Sequence, residues 1–367
     1  MLVPITACLA FVSLTLALPP NVPLELHEGF WFGDFVVGPQ TFNLTIDTGS
    51  FAILIEEGKY KPSATTHQTN LGEFIQFNGA SQDGVKFASE TIFYVRDNVT
   101  FAGANASQLL VGNITSGDPL PGDGVAGFSP PSSASELDDP TFSPGQGLFE
   151  TLCDNGTGRT RFLITVEPTL TASYYSVAVS IWPRLWNEWE WFVYFWRIGW
   201  DTTQIEGNIT TLPTTPQDSW SIQNSTEEDS AIIVVDGQAF GHIIATFDSG
   251  TPNVIGPLDD VRNIMEAVGY NITQQASDGI TVAFGTYDCS RTPARFGFLF
   301  PPNQDIHYID IDANVLNRTV DGKVCTANIL GTSTMFEGQW SIGQTWFQGR
   351  YVQHDLTHNT ISFADLA

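Results

Sequence analysis

The sequence predicts a mostly β protein built from two pseudo-symmetric β lobes, and three observations support this fold class. Gly (33), Pro (21) and Phe (26) are plentiful, and short β-branched and aromatic runs alternate with turn residues. The pattern Asp-Thr/Ser-Gly-Ser/Thr occurs twice, in "LTIDTGSF" (44–51) and "ATFDSGTP" (245–252). Each copy is followed by an apolar, Gly-centred motif, "DGVAGFSP" (123–130) and "WSIGQTWF" (340–347). Because the same order of elements occurs twice, we expect a duplicated β domain.

The segments around the two acidic motifs have strand patterns. Residues 30–56 form apolar runs joined by a Gly-Pro turn, and residues 230–257 do the same, with Asp236–Gly237 as a hairpin signal. Residues 258–268, "LDDVRNIMEAV", carry apolar side chains at helical spacing and predict a helix that stops at Gly269. A short helix is also expected within 147–156.

Charge and the amino terminus limit the function classes. The net charge is −26 with 14 Lys and Arg among 367 residues, so no basic footprint for nucleic acid is present and no such partner is expected. Residues 1–17 are apolar and short for a membrane span, which predicts a secretory signal peptide and an extracellular protein without a stable membrane span. Nine N-x-S/T sequons suggest glycosylation, at Asn43, Asn98, Asn105, Asn113, Asn155, Asn208, Asn224, Asn271 and Asn317.

Two features of the chain leave alternatives open. Residues 181–200, "IWPRLWNEWEWFVYFWRIGW", hold six of the ten Trp residues and are interrupted by charges. They could form an interfacial or partner-binding loop, an insertion packed on the body, or translated non-coding sequence. Cys289 and Cys325 bracket strand-like sequence, and a disulfide between them would close a loop of about 36 residues and contribute roughly 4 kcal/mol. Cys153 is then either a buried free thiol or part of an intermolecular bond.

Asp47 and Asp248, the acidic residues of the two motifs, are the candidate catalytic groups. Carboxylates roughly 3 Å apart share one proton, so one can act as base on a water molecule while the other donates a proton to a substrate carbonyl. Such chemistry needs no metal or cofactor, and none is expected, because no Cys/His spacing resembles a metal site. Glycines let backbone approach the carboxylates and hydroxyls hold their outer oxygens, so the expected supporting residues are Thr48, Gly49, Ser50, Ser249, Gly250 and Thr251.

The chain resembles the pepsin-like aspartic endopeptidases, particularly secreted fungal ones, from about Gly29 to the C-terminus with an interruption near 181–197. The motifs that carry the resemblance are "IDTGS" (46–50), "DGVAGF" (123–128), "IGWD" (198–201), "FDSGTPNVIGP" (247–257), the pair Cys289 and Cys325, and "SIGQTWFQGRYVQHD" (341–355). The resemblance implies a bilobal fold with a central cleft, catalytic Asp47 and Asp248, and a second-lobe disulfide between Cys289 and Cys325. The expected divisions are signal peptide 1–17, N-terminal lobe 18–170, interlobe connection 171–212 and C-terminal lobe 213–367.

The sequence departs from the family pattern in the flap that covers the cleft. Phe77 stands where the family usually has Tyr, and with Asn78 and Gly79 it is expected to contact substrate. Leu54 replaces the Trp that usually pairs with that Tyr, which favours closure by apolar packing. Gln344 replaces the usual Asp after the final Gly, and Ser341 replaces an apolar residue; neither is assigned to catalysis.

These observations predict a secreted, monomeric aspartic endopeptidase that hydrolyses peptide or protein substrates at acidic pH. The segment between residue 18 and the first strand holds no basic propeptide, which indicates no zymogen control, a missing exon, or no need for control. The alternative is a catalytically weak or inactive peptide-binding protein of the same fold. A glycosidase is less consistent, because such enzymes hold their two acids at least ~5 Å apart.

Overall fold

A computed structural model describes most of the chain beyond residue 20. The described residues are 21–27, 29–77, 88–130, 148, 161–167, 176–181, 205–215, 219–222, 230–277, 279–302, 305–310, 315–319, 321–356 and 358–367. The predicted signal peptide, Cys153 and, apart from Ile181, the Trp-rich segment lie outside these residues. The predicted short helix within 147–156 also lies outside them except for Leu148, which is helical.

The described residues of the first half of the chain lie mostly in β strands. Its strands are Asn21–His27 (β1), Phe30–Val37 (β2), Gln40–Asp47 (β3), Ile53–Ile55 (β4), His67–Phe77 (β5), Ala88–Phe101 (β6), Ala104–Gly117 (β7), Gly124–Gly127 (β8), Arg161–Glu167 (β9) and Ser176–Ile181 (β10). The long strands β5 and β6 pair as an antiparallel hairpin, from His67 opposite Arg96 to Phe77 opposite Ala88.

The described residues of the second half also lie mostly in β strands, and they include two helices. Its strands are Ile205–Pro213 (β11), Ser221–Ile222 (β12), Ala231–Val235 (β13), Gln238–Phe247 (β14), Val254–Pro257 (β15), Asn271–Ser277 (β16), Ile280–Asp288 (β17), Phe296–Leu299 (β18), Ile306–Tyr308 (β19), Val315–Arg318 (β20), Val324–Thr332 (β21), Gln339–Ile342 (β22), Arg350–Asp355 (β23) and Thr360–Leu366 (β24). The helices are Leu258–Ala267 (α1) and Gln344–Phe347 (α2).

Strand pairing shows the duplication that the sequence predicts. β3, which ends at Asp47, pairs in parallel with β8, and β14, which precedes Asp248, pairs in parallel with β22. The short strand after each acidic motif is antiparallel to that same partner, β4 to β8 and β15 to β22. The short strand also runs parallel to a longer strand, β4 to β7 and β15 to β21. The same local topology therefore surrounds both aspartates.

The strands assemble into two large sheets. One has the order β11-β24-β23-β9-β10-β1-β2-β3-β8-β4-β7-β6-β5, and the other has the order β16-β17-β21-β15-β22-β14-β13-β18-β19. Strands near the C-terminus thus join the first sheet, where β23 pairs with β9. The mostly β, two-lobed fold class is confirmed, while the predicted domain boundaries stay a prediction.

Three local predictions are confirmed. Asp236 and Gly237 form the tight turn between β13 and β14, with φ angles of 50° and 81° that suit a two-residue hairpin. Helix α1 buries Val261, Ile264 and Met265, and the chain leaves it through Gly269 at φ 70°. Cys289 and Cys325 form a disulfide with their Cα atoms 5.1 Å apart.

Large aromatic side chains fill the core on both sides of the molecule. Phe35 and Phe101 stack with ring centroids 4.0 Å apart. Further along the chain, Trp346 packs edge-on against Phe247 and Phe363 at 5.1 and 5.0 Å. Such rings bury much apolar surface, which stabilises the sheets that carry the aspartates. In the parts of the chain that the structure describes, none of the helices combines the length and the apolar character needed to cross a bilayer.

Candidate active site

The two aspartates stand at equivalent places, where a strand ends and a tight loop begins. The N–H of Phe128 donates to the carbonyl oxygen of Asp47 at 2.6 Å, and the N–H of Asp248 donates to the carbonyl oxygen of Ile342 at 3.0 Å. Each loop then passes over a glycine of the apolar motif. A Cβ on Gly127 would lie 2.5 Å from the Ser50 carbonyl oxygen, and one on Gly343 would lie 2.0 Å from that of Asn253. The Gly-centred motifs therefore make room for the acidic loops.

Thr48 and Ser249 join the two loops through four hydrogen bonds. The N–H of Thr48 donates to Ser249 Oγ at 3.1 Å, and the N–H of Ser249 donates to Thr48 Oγ1 at 2.8 Å. Each hydroxyl donates in turn to a strand of the other half, Thr48 to the Phe247 carbonyl at 2.9 Å and Ser249 to the Ile46 carbonyl at 2.8 Å. Both side chains are buried. This reciprocal arrangement locks the loops together across an approximate two-fold axis.

Each carboxylate accepts hydrogen bonds from its own loop. The N–H of Gly49 donates to Asp47 Oδ1 at 2.7 Å, and the N–H of Gly250 donates to Asp248 Oδ1 at 2.8 Å. The Thr251 hydroxyl donates to Asp248 Oδ2 at 2.6 Å, and the Ser50 hydroxyl bonds to Asp47. All six expected supporting residues therefore lie at the two carboxylates or in the link between them.

The two carboxylates lie against one another. A Cβ on Gly49 would lie 2.7 Å from Asp248 Cγ, and one on Gly250 would lie 2.3 Å from Asp47 Cγ. Each carboxylate therefore packs directly against the backbone of the glycine in the other loop, where a side chain would not fit. Burial, the negative charge of Asp248 and a hydrogen bond with it raise the pKa of Asp47 well above its ordinary value of 3.8. The pair can therefore hold a proton under conditions in which isolated aspartates are ionised.

Two residues that the sequence analysis left aside contact this site. The Ser341 hydroxyl donates to Asp248 Oδ2 at 3.3 Å, which gives that oxygen a second hydroxyl neighbour. The Gln344 amide is buried and donates to the Ser249 carbonyl at 2.6 Å, so it supports the loop rather than a carboxylate. Both contacts join residues more than 90 positions apart, and no local pattern predicts them.

A cleft of about 790 Å³ opens over the carboxylates. Leu54 lines it, on a wall that also includes Glu73, Ile75, Tyr94 and Leu120. Residues from the second half of the chain line it as well, among them the polar Thr215, Ser221, Thr246 and Gln339 and the apolar Ile244, Ile255 and Met335. Phe77 ends β5, and the other expected flap residues, Asn78 and Gly79, lie outside the described residues.

The structure adds a polar contact to the apolar cluster that contains Leu54. The Tyr94 hydroxyl donates to Glu73 Oε1, and Tyr94 belongs to the same apolar cluster as Leu54. The contact joins β5 to β6, the two arms of the hairpin. The predicted closure of the flap by apolar packing stays a prediction, because the flap residues beyond Phe77 lie outside the described part of the chain.

The predicted glycosylation sites differ in accessibility. Asn98, Asn105, Asn208 and Asn271 are exposed, while Asn43 and Asn113 are partly exposed. Asn317 lies on β20, and Asn155 and Asn224 lie outside the described residues. A glycan requires an accessible asparagine, and six of the predicted sites are exposed or partly exposed.

Two β lobes that each contribute one aspartate to a shared cleft define the class of pepsin-like aspartic endopeptidases, which are hydrolases. The chain belongs to the eukaryotic aspartyl protease family, whose model matches residues 31–366. The family match covers both acidic motifs and both Gly-centred motifs, and it agrees with the class that the resemblance implied.

Several named proteins are similar to this chain. "Secreted aspartyl protease 1" of Malassezia globosa is 23% identical over 362 residues, covering 93% of this chain and 74% of the relative. "Aspartic protease" of Phaffia rhodozyma is 23% identical over 357 residues, covering 92% and 76%. Chymosin of Ovis aries is 23% identical over 377 residues, covering 94% and 83%.

A solved structure supports the fold. The crystal structure of aspartic proteinase from Irpex lacteus matches with a TM-score of 0.69 at 16% identity, covering 95% of this chain and 97% of that chain. At this identity the match shows the bilobal fold alone, and the chemistry must be argued from the residues of the cleft.

Proposed function

We propose that this protein is a secreted aspartic endopeptidase that hydrolyses peptide bonds at acidic pH with Asp47 and Asp248 as its catalytic residues. The observation that carries the proposal is the direct opposition of the two carboxylates, each seated against the glycine of the other loop. The raised pKa of Asp47 agrees with a pair that shares one proton. The supporting roles proposed for Thr48, Gly49, Ser50, Ser249, Gly250 and Thr251 follow from their hydrogen bonds and close contacts.

The arrangement suits the activation of a water molecule. A water bound between the carboxylates loses a proton to the ionised member, and its oxygen attacks the carbonyl carbon of the scissile amide. The protonated member donates to the carbonyl oxygen, and the raised pKa of Asp47 is consistent with one proton being shared by the pair. The tetrahedral intermediate then collapses as the carboxyl group that took the water proton passes it to the nitrogen of the leaving amine, while one hydroxyl of the intermediate returns its proton to the other carboxylate. In this scheme neither a covalent intermediate nor a cofactor is required.

The cleft is suited to an extended peptide. Its volume of about 790 Å³ is large enough for several residues of a chain that crosses from one lobe to the other. Backbone groups of such a peptide would hydrogen-bond along the cleft while its side chains enter pockets in the walls. We extend the proposal to the flap, with Phe77, Asn78 and Gly79 as the residues that close over the bound peptide.

We also propose the cellular context that the sequence predicts. One similar protein is named as a secreted aspartyl protease, which supports an extracellular location after removal of residues 1–17. The exposed sequons support glycosylation, and the proposed protein acts as a monomer with lobes at 18–170 and 213–367. Mass spectrometry of the secreted protein would test the processed terminus and the glycans together.

Proteolysis of a denatured protein at pH 3–5, with and without a statine-type peptide inhibitor, tests the proposed activity. We expect cleavage that the inhibitor blocks and that Asp47→Asn and Asp248→Asn each abolish. Asp34→Asn, which removes an exposed carboxylate of the same lobe, is the matched control and should retain cleavage. Inhibitor binding by a correctly folded protein that cleaves nothing would instead establish the peptide-binding alternative.

A further inference from the structure

Glu73 is a charged residue in the cleft that the proposed hydrolysis does not use. The described residues that line the cleft include three acidic residues, Asp47, Asp248 and Glu73. These described residues include no Lys, Arg or His. Glu73 is partly exposed and lies on β5 opposite Ile92 of β6. Among the described residues that line the cleft, the Glu73 carboxylate therefore has no basic side chain beside it as a counter-ion.

Tyr94 holds the Glu73 carboxylate in place. Its hydroxyl donates to Glu73 Oε1, and the Tyr94 ring is 1% exposed within an apolar cluster that includes Leu54, Ile92 and Leu120. A buried aromatic ring with its hydroxyl bonded has little freedom, so the carboxylate that it contacts is confined as well.

The space for this arrangement depends on Gly112. A Cβ at that position would lie 2.5 Å from Leu54 Cδ2 and 3.2 Å from Tyr94 Cε1. The absence of a side chain at Gly112 thus allows Leu54 and Tyr94 to pack behind the cleft wall. Leu54, Ile75 and Leu120 therefore give the wall an apolar surface in the part that carries the Glu73 carboxylate.

This combination matches the side chains of Lys and Arg. Their aliphatic stems pack on apolar surface while the charged end seeks an anion, and the wall offers Leu54, Ile75 and Leu120 beside Glu73. A hydrogen bond between ions is stronger than one between neutral groups. Resting on the proposed peptidase function, we propose that the first-lobe wall is a specificity subsite in which Glu73 selects a Lys or Arg side chain of the substrate.

A role for Glu73 as an anchor of Tyr94 alone, or a general attraction of basic peptides to an acidic protein, predicts different outcomes. If Glu73 only anchors Tyr94, a neutral hydrogen-bond acceptor at position 73 would preserve any preference of the protein for Lys peptides over norleucine peptides. If the net charge of −26 attracts basic peptides in general, removal of any exposed acid of the lobe would have the same effect. Glu73→Gln keeps a side-chain oxygen for the Tyr94 hydroxyl and removes the charge, and Glu57→Gln removes an exposed charge outside the cleft lining.

The experiment uses statine-type peptides in pairs that carry either Lys or norleucine at one position, scanned across the sequence around the statine. Norleucine has a linear apolar side chain without the ammonium group. Dissociation constants are measured at pH 5 by calorimetry for the wild type and both variants, and thermal unfolding verifies their folding. Values of kcat/KM for matching cleavable peptides are measured alongside.

We expect one position at which wild-type protein binds the Lys peptide about tenfold more tightly than its norleucine partner. Glu73→Gln should reduce that ratio to about one, and Glu57→Gln should retain it. The proposal is overturned if Lys gives no advantage at any position, if Glu73→Gln keeps the ratio, if Glu57→Gln abolishes it equally, or if no peptide binds.

The two proposals fail separately. Cleavage of norleucine and Lys peptides at equal rates would contradict the proposed subsite and support the proposed hydrolysis. Tighter binding of Lys peptides without cleavage of any peptide would support the proposed subsite and contradict the proposed hydrolysis.

Discussion

Thr48 and Ser249 exchange hydrogen bonds between backbone N–H and side-chain hydroxyl, at 3.1 and 2.8 Å, although 201 positions separate them in the chain. Each hydroxyl also donates to a carbonyl of the opposite half. Since all these groups are buried, losing one partner leaves another without its hydrogen bond, and the link behaves as a unit. The link fixes the spacing of the two loops that carry Asp47 and Asp248.

Thr48→Val should weaken both stability and turnover. Valine keeps the shape of threonine but offers no acceptor to the Ser249 N–H and no donor to the Phe247 carbonyl, at a cost of about 1–3 kcal/mol in the free energy of unfolding. We expect a lower urea midpoint and a lower kcat, because the carboxylates lose their mutual alignment. Thr48→Ser keeps the hydroxyl and should retain most of both. Equal stability of the valine and serine variants would contradict this role.

Gly250→Ala should separate the two carboxylates. The new methyl carbon would lie 2.3 Å from Asp47 Cγ, far inside van der Waals contact, so one of the loops must move. Because both partners are held by hydrogen bonds, we expect kcat to fall by at least about 100-fold. Steady-state kinetics measures this loss, and circular dichroism at the working pH checks that the fold persists. Wild-type turnover in the alanine variant would mean that the carboxylates need not be so close.

Thr251→Ala should reduce turnover more than Ser341→Ala. Both hydroxyls donate to Asp248 Oδ2, but Thr251 does so at 2.6 Å and Ser341 at 3.3 Å. The shorter hydrogen bond is the stronger one, so we expect about a tenfold loss of kcat for the first variant and a smaller loss for the second. Thr251→Ser is the matched control and should preserve turnover. A larger effect at Ser341 would reverse the assigned order.

The stability of the protein should respond to pH through Asp47. Its pKa is raised above 3.8 in the folded state, so between pH 4 and neutrality the folded protein binds more protons at this site than the unfolded chain. Stability from this group therefore falls as pH rises, by about 1.4 kcal/mol for each pH unit within the window. Asp47→Asn does not titrate and should gain stability relative to wild type between pH 4 and pH 7.

Urea unfolding at pH 4, 5.5 and 7 measures this difference. Asp34→Asn, at an exposed site, shares the loss of one negative charge and corrects for the general repulsion of an acidic protein. A constant difference between Asp47→Asn and wild type across these pH values would show that Asp47 titrates normally.

Much of the fold could be predicted because its signals are local. The turn at Asp236–Gly237 depends on two adjacent residues that adopt positive φ, and helix α1 depends on the spacing of Val261, Ile264 and Met265. The aspartates could be found because each carries its own glycine and hydroxyl neighbours. The repeat of that local pattern then indicated a single shared site.

The remaining contacts could not be predicted because they join residues that only folding brings together. Ser341 reaches Asp248 from the parallel strand β22, and Gln344 supports the Ser249 carbonyl from the start of α2. Tyr94 meets Glu73 across a hairpin whose register is irregular between Gln68 and Gly72, so their alignment could not be counted from the sequence.

The sequence by itself determined the duplicated β motif and the two acidic loops, because strand, turn and loop preferences act over a few neighbouring residues. The pairing of Cys289 with Cys325 was implied by the family resemblance, and the structure shows it. Only the tertiary structure decided that Gly49 and Gly250 each lie against the opposite carboxylate, and that Glu73 lines the same cleft. These relationships arise when the packing of two large sheets sets distances between residues remote in the chain. Burial and mutual charge at that junction then raise the pKa of Asp47.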